Sequence, residues 1–105
     1  MRPTGPRPEA EPSESFVTAA VSGSWYLEAG SGEAITVTAR GVVLGRDPSC
    51  DVVLDDRTAS QRQAIVLPMG PRLEVLGLGR NPITVDGEPV KGRAWLSPGQ
   101  VLAVP

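Results

Sequence analysis

Short apolar runs, each ended by Gly, Pro or Asp, are the feature that most limits how this chain can fold. The segment GVVLGRDPSCDVVLDDRTASQRQA at residues 41–64 holds VVL at 42–44 and at 52–54, and a third run, AIVL, covers 64–67. No stretch keeps the i, i+3, i+4, i+7 spacing of an amphipathic helix over three turns, and eleven prolines and twelve glycines punctuate the chain. The pattern predicts an all-β domain, a sandwich or barrel of short, mostly antiparallel strands.

Alternation of apolar and polar residues predicts further strands on both sides of that segment. Trp25, Leu27 and Ala29 alternate with Tyr26 and Glu28, as in a half-buried strand. The dipeptide DG at 86–87 is a strong signal for a two-residue hairpin. The other predicted strands cover residues 35–39, 73–76, 83–85, 89–90, 95–96 and 101–104.

The first part of the chain has a different composition. Residues 1–15 carry four prolines and almost no apolar side chains, so they cannot bury enough surface to offset the entropy of ordering. We therefore predict a disordered tail at residues 1–23 and a folded domain at residues 24–105. A regulatory tail that offers Thr4 or Thr18 to a kinase is the alternative reading.

Composition excludes several kinds of function. The chain has no histidine and a single cysteine, Cys50, so an internal disulfide, a multi-cysteine zinc site and His-based acid–base catalysis are ruled out. Ser60 has no histidine to activate it, which argues against an enzyme. A net charge of -2 argues against nucleic-acid binding. No apolar run could span a bilayer or act as a signal peptide, which predicts a cytoplasmic protein without a membrane partner.

Several motifs that are weak alone occur in a fixed order. They are GR, a turn, DVVLDD, S-x-x-x-A, LGLGRNP, V-D-G-x-x-V and L-x-x-G-x-V-L. Together they closely resemble the forkhead-associated (FHA) domain, over about residues 24–105. The resemblance implies a β-sandwich in which loops at one end bind phosphothreonine peptides, with neither a cofactor nor a metal.

The resemblance also implies which residues form the site. The phosphate-binding arginine of the family falls on Arg46, and its phosphate-contacting serine falls on Ser60. Gln61 occupies a position that often adds a phosphate or peptide contact. Asn81 matches an asparagine that pairs with the peptide backbone, and Arg80 would add a second positive charge facing the phosphate.

Three departures from the family pattern bear on function. Gln63 replaces a histidine that braces the serine loop, so we expect a softer loop. Asp86 replaces the asparagine of V-N-G and still suits the turn. The family usually has one more strand after L-x-x-G-x-V-L-A-V, and its absence would leave the strand at residues 25–29 partly unpaired.

These observations favour two functions. The leading one is a phosphothreonine-peptide-binding module in Ser/Thr kinase signalling, whose partner is a kinase or a kinase substrate. The second is an FHA-like structural domain that assembles a complex independently of phosphate, through its strand edges. The change at Gln63 and the missing strand motivate this second function.

Overall fold

The structure, a computed structural model, describes residues 14–105 of the chain. These residues form eleven short strands joined by loops and contain no helix. The strands are β1 (Glu14–Val21), β2 (Ser24–Ala29), β3 (Ala34–Val37), β4 (Val42–Gly45), β5 (Val52–Val53), β6 (Ala64–Met69), β7 (Arg72–Gly77), β8 (Thr84–Val85), β9 (Glu88–Pro89), β10 (Arg93–Leu96) and β11 (Val101–Val104).

The strands form two sheets that pack as a β-sandwich. One sheet has six strands in the order β3-β2-β1-β11-β8-β9, and the other has five in the order β10-β7-β6-β4-β5. Every pairing is antiparallel except that of β4 with β5. The predicted fold class, an all-β sandwich of short and mostly antiparallel strands, is confirmed.

The core lies between the sheets, where the alternating apolar residues meet. Phe16 and Leu27 of the six-stranded sheet and Leu44, Val66 and Val75 of the five-stranded sheet are buried to 2% exposure or less. Each has exposed or half-buried residues as its strand neighbours, except Val75 in the more buried β7 and Leu44, which the buried Gly45 follows. This period-two burial is the one that the sequence pattern predicts for strands with one face in a core.

The predicted start of the folded domain at residue 24 is wrong. β1 is an eight-residue strand that pairs with both β2 and β11, with Phe16 and Thr18 buried and Val17 facing outward. The proline-rich composition ends at Pro12, after which apolar residues return and alternate with polar ones. Residues 1–13, which include Thr4, lie outside the described residues.

The expectation of an unpaired strand at residues 25–29 is also wrong. β2 pairs with β1 on one side and with β3 on the other, so β1 fills the space between β2 and β11. Thr18 in this strand is 1% exposed, and its backbone bonds to Gln100 and Gly99. A kinase cannot reach its hydroxyl in the folded domain.

One end of the sandwich, called here the loop end, carries the three loops that hold the predicted site residues. These are the β4–β5 loop (residues 46–51), the β5–β6 loop (54–63) and the β7–β8 loop (78–83). Glu14 pairs with Val104, and Ala103 pairs with Thr84, the first residue of β8. The beginning of β1 and the end of β11 therefore lie at the loop end too.

The β8–β9 hairpin lies at the opposite end and confirms the DG turn. Asp86 and Gly87 both have positive φ, 49° and 85°, as a two-residue hairpin of this kind requires. The Asp86 carboxylate accepts the Val101 N–H (2.8 Å) and the Gln100 side-chain amide (3.0 Å). These two bonds, that from Val101 first, lower the pKa of Asp86.

Candidate binding site

The three loops at the loop end are joined to one another by hydrogen bonds. Between the β4–β5 and β5–β6 loops, the Arg46 N–H donates to the Ser60 carbonyl (2.9 Å) and the Asp47 N–H donates to the Gln61 carbonyl (3.1 Å). Between the β5–β6 and β7–β8 loops, the Arg80 N–H donates to Ser60 Oγ (3.0 Å). Ser60 thus contacts both of its neighbouring loops.

Arg46 follows β4 directly, and one side of its guanidinium is held in place. Its Nε donates to the Ala59 carbonyl (2.9 Å), while the side chain as a whole is exposed. Among the described residues, neither terminal nitrogen of this guanidinium has a hydrogen-bond or ion-pair partner. Two NH2 groups of a guanidinium in fixed orientation form the fork of donors that binds carboxylate or phosphate oxygens in pairs.

The Ser60 hydroxyl keeps its proton available. Its oxygen accepts the Arg80 N–H, and within residues 14–105 the hydroxyl makes no further hydrogen bond. A hydroxyl that accepts one bond can still donate one. Ser60 can therefore donate to an oxyanion that Arg46 also holds.

Gln63 is the buried side chain that ties the site together. It is fully buried, and both ends of its amide are bonded: Oε1 accepts the Ser60 N–H (2.8 Å), and Nε2 donates to the Asn81 carbonyl (2.6 Å). Its backbone N–H donates to the Leu44 carbonyl (2.7 Å) at the end of β4. The contacts do not indicate the softer loop that was expected at Gln63, because its amide bonds to two loops.

Two glycines give the chain room for these contacts. A Cβ at Gly79 would lie 2.6 Å from both polar atoms of the Gln63 amide. At Gly45, a Cβ would overlap the Gln61 carbonyl oxygen and lie 2.8 Å from the Arg62 Cα. The close approach of the loops therefore depends on the absence of a side chain at both positions.

Asn81 lies next to the serine loop, as expected from its place in the sequence. Its Nδ2 donates to the Thr58 carbonyl (2.7 Å), and its backbone carbonyl accepts the Gln63 amide. Its Oδ1 has no hydrogen bond within the described part of the chain. That oxygen is able to accept a peptide N–H.

The side chains of the two remaining predicted residues, Arg80 and Gln61, are not held in place by hydrogen bonds to described residues. The Arg80 backbone N–H bonds to Ser60, but its exposed side chain makes no hydrogen bond or ion pair with a described residue. The exposed Gln61 side chain likewise has no hydrogen-bond partner among the described residues, and only its backbone carbonyl is used, by the Asp47 N–H and the Cys50 thiol. The structure thus brings Arg46, Ser60 and Asn81 together through hydrogen bonds, and leaves the Gln61 and Arg80 side chains unattached beside them.

Local turns explain why the β4–β5 loop folds as it does. Pro48 occupies the second position of a turn closed by the Cys50 N–H and the Asp47 carbonyl (2.9 Å). The Asp47 carboxylate accepts the N–H and the hydroxyl of Ser49, both at 2.8 Å, and these bonds lower its pKa. Burial raises the pKa of the Cys50 thiol, which donates to the Gln61 carbonyl (3.3 Å) and serves to hold the loop.

Several contributors to the site were not predicted from the sequence. The Thr58 carbonyl orients Asn81, and the Ala59 carbonyl orients Arg46. Every residue has a backbone carbonyl, so the residue type does not indicate which carbonyl accepts such a bond. Gly79 had a usable signal, since the glycines in LGLGRNP indicate a close approach of the backbone. The two-ended role of Gln63 depends on the distance between two loops, which the sequence does not contain.

The arrangement defines a class of domain: a β-sandwich whose loops present a fork of donors, a hydroxyl and an amide oxygen on a braced frame. The model of the FHA domain family matches residues 42–104, which is more than half of the chain. The chain belongs to the FHA domain family. No curated protein matches it in sequence.

Solved structures of FHA domains share this fold. Mycobacterium tuberculosis EmbR, solved in complex with a low affinity phosphopeptide, is 18% identical with a TM-score of 0.64 over 87% of this chain, which spans 24% of the EmbR chain. The FHA domain of CT664 from Chlamydia trachomatis is 21% identical with a TM-score of 0.59, covering 89% of this chain and 98% of its own. The FHA domain of yeast Dun1, in complex with a doubly phosphorylated peptide, is 21% identical with a TM-score of 0.53, covering 99% and 80%.

Residues 14–105 contain no helix that could cross a membrane.

Proposed function

We propose that this FHA domain binds phosphothreonine peptides and acts in Ser/Thr kinase signalling, with a phosphorylated kinase or kinase substrate as its partner. The observation that carries the proposal is that the guanidinium of Arg46, bonded through Nε to the carbonyl of Ala59, lies next to Ser60 and its available hydroxyl. Both groups donate hydrogen bonds, and within residues 14–105 neither the terminal nitrogens of Arg46 nor the Ser60 hydroxyl proton has an acceptor. A phosphate group offers the several oxygens that such a set of donors can bind.

The roles of the individual residues follow from their contacts. Arg46 would bind two phosphate oxygens and Ser60 a third, while Asn81 Oδ1 would accept an N–H of the peptide backbone. The unattached side chains of Gln61 and Arg80 would complete the contacts from either side. The FHA domain of Dun1 supports the proposal because it is a domain of this fold in complex with a doubly phosphorylated peptide, and EmbR was also solved with a phosphopeptide.

The phosphate-independent alternative was motivated by a missing strand and by the replacement of histidine by Gln63, and the structure weakens both reasons. β1 pairs along β2 and β11, so no strand is missing between them. Gln63 is hydrogen-bonded at both ends of its amide, so the serine loop is braced. The cytoplasmic location stays a prediction from the sequence.

Binding of three matched peptides, carrying Thr, phosphoserine and phosphothreonine at one position, tests the proposal. Titration calorimetry is expected to detect binding of the phosphothreonine peptide, with a large loss of affinity for Arg46→Ala and a smaller one for Ser60→Ala. Arg40→Ala is the matched control, because Arg40 is an exposed arginine just before Gly41, at the opposite end of the sandwich. Equal binding of the unphosphorylated peptide, or no effect of Arg46→Ala, would overturn the proposal.

A further inference from the structure

Two arginines outside the proposed phosphate contacts lie on the β5–β6 loop on either side of Ser60. Arg57 precedes Thr58, whose carbonyl accepts the Asn81 side chain. Arg62 follows Gln61, whose carbonyl accepts the Asp47 N–H. The first arginine therefore lies beside the Asn81 side of the site and the second beside the β4–β5 loop.

Neither arginine is neutralised by a direct partner. Both side chains are exposed, and within residues 14–105 neither makes a hydrogen bond or an ion pair. The single ion pair of the described residues joins Arg93 to Glu74 (2.9 Å), between β10 and β7 on the five-stranded sheet.

Most of the aspartates of the β4–β5 and β5–β6 loops accept hydrogen bonds from backbone N–H groups. Asp47 accepts from Ser49, and Asp51 accepts the Val43 N–H (2.8 Å). The Asp56 carboxylate accepts the N–H of Thr58 (2.7 Å). Asp55 is the exposed exception, with no partner among the described residues. These carboxylates keep their charge, and Arg62 lies close enough to Asp47 to contribute to the lowered pKa of Asp47. Most of these carboxylates accept bonds within the loops, whereas the guanidinium donors of Arg57 and Arg62 have no hydrogen-bond acceptor among the described residues.

From this difference we infer that the site selects phosphopeptides with acidic residues next to the phosphothreonine, and that Arg57 and Arg62 are the specificity-determining residues. This inference rests on the proposed function. Carboxylates flanking the phosphothreonine would pair with the two guanidiniums, and basic flanks would be repelled by them. Because these charges are exposed, the selection is electrostatic and weakens as salt is added.

The chain itself supplies a basic-flanked probe. Thr4 lies between Arg2 and Arg7 in the sequence MRPTGPRP. A synthetic peptide of residues 1–11 phosphorylated on Thr4 is the basic probe, and the same peptide with Arg2→Glu and Arg7→Glu is the acidic probe. The two differ only in flanking charge, and the unphosphorylated form of each serves as its control.

We expect the acidic phosphopeptide to bind more tightly than the basic one by on the order of tenfold at low salt. The ratio is expected to fall towards one as NaCl is raised to about 0.5 M. It is also expected to fall in the Arg57→Gln, Arg62→Gln double variant, whereas Arg40→Gln keeps it.

The outcomes separate this inference from the proposed function. If neither phosphopeptide binds better than its unphosphorylated form, the proposed function fails. If both phosphopeptides bind equally well, the function stands and the acidic preference is wrong. A preserved ratio in the double variant would overturn the assignment to Arg57 and Arg62. Tighter binding of the basic probe would overturn the inference and direct attention to the cleft lined by Glu14, Glu33 and Asp51.

Discussion

The amide of Gln63 occupies the space that a side chain at Gly79 would need. The Gln63 amide nitrogen and oxygen both lie 2.6 Å from the position of a Cβ at residue 79. The Gln63 backbone carbonyl also accepts the N–H groups of Leu78 (2.9 Å) and Gly79 (3.2 Å). The glutamine and the glycine therefore form a matched pair that fixes the β7–β8 loop against the β5–β6 loop.

Removing the amide contacts of Gln63 should weaken the domain. Gln63→Met keeps a side chain of similar length but loses both the acceptor for the Ser60 N–H and the donor to the Asn81 carbonyl. We expect Gln63→Met to lower the free energy of unfolding by about 2 kcal/mol, since two backbone groups lose their partners. Chemical denaturation measures this loss.

The same Gln63→Met variant tests whether bracing serves binding. Faster amide exchange at Ser60 and lower phosphopeptide affinity are both expected. A Gln63→Met protein with unchanged exchange at Ser60 would show that the loop is held by other contacts.

Gly79→Ala should disrupt the site, whereas Gly77→Ala should be tolerated. A Cβ at Gly79 meets the Gln63 amide, but at Gly77 the nearest atoms lie 3.7 Å away, which is ordinary contact. Overpacking at residue 79 is expected to cost about 1–3 kcal/mol of folding free energy and to lower phosphopeptide affinity. Equal thermal stability of the two alanine variants would contradict this account.

Thr18→Val should stabilise the domain. Thr18 is 1% exposed, and its hydroxyl oxygen is the one buried side-chain polar atom without a partner among the described residues. Replacing the hydroxyl by a methyl group of similar size removes the cost of burying an unpaired polar group, and we expect a gain of about 1 kcal/mol in the free energy of unfolding. Thr36→Val, on the exposed face of β3, is the control and should change it by less than about 0.5 kcal/mol.

Asp86→Asn should lower stability at neutral pH, although asparagine suits the turn equally well. Both carboxylate oxygens accept hydrogen bonds, and an amide can replace only one of these acceptors. The Gln100 amide cannot turn to compensate, because its oxygen accepts the Ser97 N–H (2.8 Å). Thermal melting of Asp86→Asn and of the control Asp55→Asn measures the difference.

The contribution of Asp86 to folding stability should decrease as the pH is lowered. Its pKa is lowered in the folded state, so its contribution to stability is complete above its ordinary value of 3.8 and is lost as the pH falls through the lower folded value. The gap in melting temperature between wild type and Asp86→Asn should therefore close on acidification. A gap that is the same at about pH 7 and at about pH 3 would contradict this assignment.

The position of β1 predicts where the chain can be shortened. A protein of residues 14–105 keeps β1 and should unfold cooperatively. A protein of residues 24–105 loses Phe16 from the core and leaves β2 and β11 without their shared neighbour. We expect this shorter protein to aggregate or to lack a cooperative thermal transition. A stable monomer of residues 24–105 would show that β1 is dispensable.

The strands were predictable from the sequence where local pattern decides structure. The runs at residues 42–44 and 64–67 and the DG turn are local features, and each appears in the fold. β1 was missed because the composition of residues 1–15 was extended to residue 23, whereas alternation returns at Phe16. One of the two neighbours of β1 in the sheet, β11, lies more than eighty residues away from the β1 residues that it pairs with, and no local pattern reports such a pairing.

Prediction of the site had a similar limit. Arg46, Ser60 and Asn81 come together because their loops leave the same end of the sandwich, and the motif order anticipated that. The bracing of the serine loop by Gln63 was not predicted. In the sequence, a glutamine in place of the histidine indicates a lost bracing contact, and only the distance to Asn81 shows that the amide bonds to a second loop. Arg57 and Arg62 are ordinary surface arginines in the sequence, and only the bonding of nearby aspartates distinguishes them.

The pairing of Glu14 with Val104 sets the geometry of any tethered experiment. A linker, fluorophore or solid support attached before β1 or after β11 leaves the domain beside the three loops, where it competes for space with an incoming peptide. The Ser22–Gly23 turn lies at the far end of β1, and nothing surrounds a Cβ at Gly23. Coupling through the neighbouring exposed Ser24, changed to cysteine, would hold the domain with its loops facing solution.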